Sequence, residues 1–216
     1  MYKWFKNARD PISSYTHFLG VVFGALFLLL ALGKGFIVGS KGLWILGTSI
    51  FALTIMMLYG ASSYYHYLPK NHDKLTFYRK LDHSMIYVLI AGSYTPVCLR
   101  FFALRHALIF LGIIWAIAIL GIAVKILWLN SPRIFYTLLY LIMGWAVIFD
   151  FKSFLVMPSN CLLLITIGGI AYTIGGIIYI IKQPNINNAW GFHELFHIFI
   201  LIGTIFQAMA CFIYMV

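Results

Sequence analysis

Two histidines four residues apart, His193 and His197, and a third far away in the chain, His66, are the side chains best suited to hold a metal ion. On a helix a spacing of four puts both imidazoles on one face, one turn apart. That geometry serves two ligands to one zinc ion, and a catalytic site needs a third ligand with a fourth position left for water. His66 closes the segment SSYYH, so Ser62 stands one turn before it and its hydroxyl shares that face. Asp82 could ligate the ion itself, or hydrogen-bond its water or a histidine from behind. Zinc brings the pKa of bound water to about 7, and a neighbouring carboxylate can then take the proton. Three histidines, a water and a carboxylate favour zinc over magnesium or calcium. HELFH, residues 193–197, also fits the H-E-x-x-H pattern of zinc metalloproteases, with Glu194 as base. Against a protease, no histidine or glutamate follows downstream, and Glu194 lies about 100° round the helix from His193.

The elements that must position these residues are helices in lipid. The 216 residues are 63% hydrophobic and only 9% charged, with a mean hydropathy of +0.96; a soluble domain carries roughly 25% charged residues. A spanning helix needs roughly 20 mostly apolar residues. Seven stretches qualify, at 15–38, 43–65, 81–101, 104–127, 134–149, 160–181 and 191–216, separated by GSKG, PKNHDK, LRFFALR, LNSPR, DFKSFLVMPS and KQPNINN. The expected fold is an all-α integral membrane protein, a seven-helix bundle forming a single domain over residues 1–216.

Basic residues set its orientation. Lys3, Lys6, Arg9, Lys70, Lys74, Arg79, Lys80, Lys125, Arg133 and Lys182 fall on the side of the N-terminus, ten against the five of Lys34, Lys41, Arg100, Arg105 and Lys152. That places the N-terminus in the cytoplasm and the C-terminus outside. His17 early in the first span, His66 ending the second, Asp82 and His83 opening the third, and His193, Glu194 and His197 opening the last then all sit at the cytoplasmic ends of their helices. Ionisable groups at membrane depth face the bundle interior and find partners. Their convergence on one level from across the sequence points to one shared site.

Each residue also has a plainer role open to it. His193 and His197 could be interfacial residues of a helix end, His66 a helix cap, and Asp82 a dipole partner beside Lys80. His83, about 100° from Asp82, reads as architectural; His17 is open between the two roles, and His72 and His106 read as solvated. Cys98, Cys161 and Cys211 lie far apart, in no ligand spacing, and read as small buried apolar residues. Gly168, Gly169, Ala171, Gly175 and Gly176 read as a close helix contact, and Pro96 as a kink that frees the Gly92 carbonyl. The net charge of +10 is scattered among loops, which suits anionic lipid headgroups and gives no nucleic-acid footprint. The start MYKWFKNARDP is too polar for a signal-peptide core, so the first span is read as retained.

Five segments in order, DPISSYTHFLG (10–20), ASSYYHYLP (61–69), RKLDHSMIYVLIAGSYTPVCL (79–99), GGIAYTIGGIIYIIKQP (168–184) and GFHELFHIFILIG (191–203), make the chain resemble the hemolysin III family. That family is the bacterial branch of the progestin and adipoQ receptor superfamily, which also resembles the alkaline ceramidases. The resemblance implies a seven-helix bundle with a cytoplasmic N-terminus, in a bacterial plasma (inner) membrane, with an intramembrane zinc. S-x-x-x-H on the second helix supplies His66 with Ser62 beside it, Asp82 holds the metal-bound water, and H-x-x-x-H on the seventh helix supplies His193 and His197. Asp10 stands where relatives often carry glutamate before Pro-Ile-Ser.

Three functions follow as expectations. In the first, the chain is a ceramidase-like zinc hydrolase of a lipid amide or ester, with His66, His193 and His197 on the metal and Asp82 as base. Ser62 would then bond the developing oxyanion. In the second, zinc is structural and the protein senses or regulates membrane state. In the third it is cytolytic or a channel, although no helix carries a polar stripe through the whole bilayer. The expected partner is a membrane lipid or fatty-acyl ligand, and the residues do not fix an oligomeric state.

Overall fold

A computed structural model describes residues 5–187 and 189–216. Lys3, counted above for orientation, and the first four residues of MYKWFKNARDP lie outside the described residues. The elements of the described residues are all helical: α1 (Pro11–Ile37), α2 (Gly42–Tyr67), α3 (Leu75–Phe101), α4 (Leu104–Leu127), α5 (Arg133–Gly144), a 3₁₀ turn (Ala146–Asp150), the short α6 (Phe151–Phe154), α7 (Ser159–Ile181) and α8 (Phe192–Tyr214). Among the described residues seven segments are long and apolar enough to cross a membrane, with Arg133–Phe154 counted as one. The surface is that of a membrane protein: Leu29, Leu120 and Phe36 turn 66%, 65% and 89% of themselves outward. Such a belt would be a liability in water and is ordinary against lipid tails.

Lipid tails are as apolar as leucine, so close packing rather than hydrophobic burial must hold the helices together. Three glycines make that packing possible. A methyl group on Gly20 would meet the Tyr59 ring at 2.5 Å, one on Gly121 the Tyr87 ring at 2.4 Å, and one on Gly203 the Tyr172 ring at 2.5 Å. Each aromatic therefore lies in a notch where the neighbouring helix has no side chain. In the small-residue stretch of α7, Gly168 faces the Gly203 carbonyl of α8, at 3.0 Å from an added methyl, so that stripe is the expected close contact. The most buried span is α3, which packs against α2, α4, α5 and α8.

Two spans differ from the sequence expectation. The third helix begins at Leu75 rather than at residue 81, because LTFYRK winds as an interfacial first turn with Phe77 exposed. Asp82 and His83 therefore lie two turns inside the helix instead of opening it. The fifth span is not one helix over 134–149. It breaks after Gly144, and the freed backbone groups are satisfied from α3, as they must be at membrane depth. The Tyr94 hydroxyl donates to the Gly144 carbonyl at 2.6 Å and accepts the Val147 amide at 3.3 Å. α3 itself runs through Pro96 without interruption. The three cysteines are free and buried, as expected.

Candidate metal centre

The last turn of α2 and the first two turns of α8 meet at one end of the bundle. His66, His193 and His197 each present a ring nitrogen there, and these atoms lie within 4.8 Å of one another. His66 and His197 are 3% and 2% exposed. The Nε2 atoms of His66 and His193 are 3.3 Å apart. Two ligands of a tetrahedral zinc, at bond lengths of about 2.0–2.1 Å, stand roughly 3.3–3.4 Å from each other. The spacing therefore fits two nitrogens converging on one ion. The Nδ1 of His197 is buried without a hydrogen-bond partner. Three neutral imidazoles suit zinc, and among the described residues this is the one trio that could hold a metal.

What fixes His66 is Asp10, the residue before α1. The His66 Nδ1 donates to Asp10 Oδ2 at 2.8 Å, and the Asp10 amide donates back to the His66 carbonyl at 3.1 Å. A proton on Nδ1 leaves the Nε2 lone pair free to face the trio, the arrangement that orients metal-binding histidines generally. Burial works to raise the Asp10 carboxyl, but the His66 and Arg9 hydrogen bonds outweigh it and hold its pKa at about 2.

Glu194, the candidate protease base, is engaged elsewhere. Its Oε2 accepts the Gly191 amide at 3.0 Å, capping α8, and its Oε1 accepts the Ser13 hydroxyl of α1 at 3.1 Å. Both oxygens are held by structural partners, and the third histidine of the trio comes from α2 rather than from downstream sequence.

Asp82 is buried beside the trio without being part of it, and the Ser62 hydroxyl faces its carboxylate. His83, next to it, brings Nε2 to 4.0 Å from Asp82 Oδ2. Asp82, Ser62, His193 and His197 line one cavity of about 230 Å³, which continues between apolar side chains of α3, α7 and α8 such as Ile90, Leu162 and Ile200. Basic residues surround this end. Lys125, near the end of the fourth span as expected, is wholly buried in the last turn of α4, donating to the Leu129 carbonyl at 3.2 Å with its ammonium 3.6 Å over the Tyr136 ring. Arg133 stacks on Tyr179 at 4.5 Å.

All five residues singled out in the sequence thus reach one end of the bundle. His17 joins them, its ring stacked on that of His197 with centroids 3.7 Å apart. His72 remains in the loop before α3, as expected, beside Asp73. His106 stays exposed near the start of α4, as expected, away from the centre. At the other end of the bundle it pairs with Asp150 at 2.6 Å. The roles of Asp10 and Ser13 were missed, although their spacing with His17 was a usable signal: positions 10, 13 and 17 share one helical face.

A helical bundle of membrane-length spans enclosing a buried histidine trio at one end defines a multi-pass membrane protein with a candidate metal centre. The family model for Haemolysin-III related proteins matches residues 5–208, and the chain belongs to the haemolysin III family. It is similar to the "Hemolysin-3 homolog" of Bacillus subtilis (strain 168), 32% identical over 204 residues that cover 93% of this chain and 91% of the relative. It is also similar to "Hemolysin-3" of Bacillus cereus, 30% identical over 200 residues covering 91% and 87%.

Proposed function

We propose that the protein is a zinc-dependent intramembrane hydrolase acting on a lipid amide or ester. One observation carries the reading: the cavity lined by His193 and His197, two members of the histidine trio, is also lined by an acid and a hydroxyl, and it extends into apolar space. His66, His193 and His197 would hold the ion. When bound, zinc supplies Lewis acidity, polarising a carbonyl and making water acidic enough to ionise near neutral pH. Asp82 takes the proton of the attacking water and passes it to the leaving nitrogen or oxygen. Ser62, released from the carboxylate once that proton has moved, donates to the oxygen that gains charge. The apolar walls take the acyl chain and keep bulk water from the reacting carbonyl.

Replacing Asp82 with alanine is expected to lower turnover of an acyl amide or ester by about 10²-fold or more, while zinc stays bound. Full activity of that variant would refute the mechanism. A second reading, with zinc as a structural pin in a sensor of membrane state, draws support from α1. Asp10 and Ser13 tie α1 to His66 of α2 and Glu194 of α8 through the centre. It expects a lower melting temperature without zinc and no cleaved lipid at all. We also infer a bacterial plasma membrane with the N-terminus in the cytoplasm. This draws on the asymmetry of the basic residues and on the Bacillus relatives.

A further inference from the structure

We propose that His17 recognises the polar group of the bound lipid, by one donated and one accepted hydrogen bond, and that it is not a ligand of the metal. The inference rests on the reading of the cavity as a lipid site. His17 is 3% exposed and lines the cavity together with Ser62, Asp82, His193 and His197. Both of its ring nitrogens are buried, and neither has a hydrogen-bond partner. Buried polar atoms are nearly always paired, and leaving two unmade on one ring is costly. The backbone of His197 comes near the ring without closing a hydrogen bond to it, and no other protein group supplies one. The Tyr59 and His17 rings are near perpendicular, at 79° with centroids 4.9 Å apart, and the Tyr59 hydroxyl is committed to Thr204 at 2.7 Å.

The metal cannot be the partner either. His17 and His197 are cofacial, 3.7 Å apart and 11° from parallel. An imidazole binds a metal in its own ring plane, so an ion in the plane of His197 stands about one ring spacing out of the plane of His17. The face of α1 supports the same division of labour. Asp10 serves His66 and Ser13 serves Glu194, so His17 is the member of that face whose hydrogen bonds are unused.

A neutral imidazole offers one N–H and one lone pair. The matching ligand group both donates and accepts, as a secondary amide or a hydroxyl does. An ester or a tertiary amide only accepts. His17 would thus set a preference for secondary acyl amides over esters of the same chain.

The test uses three neutral ligands of one chain length, N-ethyldodecanamide, N-ethyl-N-methyldodecanamide and ethyl dodecanoate. Their affinities are measured on zinc-loaded, detergent-purified protein carrying Asp82→Asn to prevent turnover. The secondary amide is expected to bind about tenfold or more tightly than the other two. In His17→Phe this preference disappears while zinc stays at the same stoichiometry, and His17→Gln, whose carboxamide also donates and accepts, recovers part of it. Equal affinities for the three ligands, a preference that survives His17→Phe, or loss of zinc with His17→Phe would each overturn the proposal. Should His17→Phe fail to fold, the three-ligand comparison on the His17 protein still decides. Failure of the hydrolase reading shows separately, as zinc-loaded protein with Asp82 intact that binds the amide and leaves it whole.

Discussion

At the residue scale the candidate centre depends on atoms outside the histidine trio. Asp10 receives the His66 Nδ1 at 2.8 Å and the Arg9 Nε at 2.9 Å, so one carboxylate sets the tautomer of one histidine of the trio and balances a cation. Outer partners of this kind typically change metal affinity by about 10–100-fold. Asp10→Asn is expected to weaken zinc binding by that factor in a chelator competition. A second consequence concerns acid. The folded pKa of Asp10, at about 2, lies below the ordinary aspartate value of about 3.9. Its contribution to stability is therefore complete above about pH 4 and lost as pH falls towards the folded value. Zinc-free wild type should lose melting temperature between about pH 4 and 2.5 more steeply than Asp10→Asn, and equal slopes would contradict this role. The pairing of His193 with His197 was legible in the sequence because a spacing of four on a helix leaves little choice of face. Asp10 and Ser13 were not, since their partners lie 56 and 181 residues away and only the folded bundle brings them together.

At the element scale helix pairs are held by aromatic rings in glycine notches. A methyl group on Gly203 would sit 2.5 Å from Tyr172, whose hydroxyl also bonds Thr204 at 3.0 Å. Gly203→Ala is expected to destabilise the bundle by about 1–3 kcal/mol, the usual cost of overpacking. Gly60→Ala, whose nearest neighbour would be Val21 at 3.9 Å, is the control and should leave stability nearly unchanged in the same denaturation series. Seven spans could be read from runs of apolar residues because the bilayer fixes their length. The break after Gly144 could not, because a helix interruption in lipid depends on a distant hydroxyl, that of Tyr94, to satisfy the backbone. The early start of α3 was hidden for another reason. LTFYRK is an interfacial turn, polar enough to resemble a loop in a hydropathy reading and still helical.

At the scale of the whole molecule, polarity is strongly divided. The trio, Asp82, His17, Lys125 and Arg133 collect at one end, and the pair His106–Asp150 stands at the other. Between them the interior is mostly aromatic and aliphatic, with a cavity that reaches the histidines from within the bundle. Placing ionisable groups near a membrane face spares them the several kcal/mol that a charge costs at the bilayer centre. Everything proposed for this end depends on one ion joining α2 to α8. The most direct test is elemental analysis of carefully purified wild type beside the double variant His193→Ala, His197→Ala. About one zinc per chain, lost in the double variant, is the expected result. Wild type without metal, or a double variant that keeps its full zinc, would contradict the assignment of the histidine trio as the metal centre.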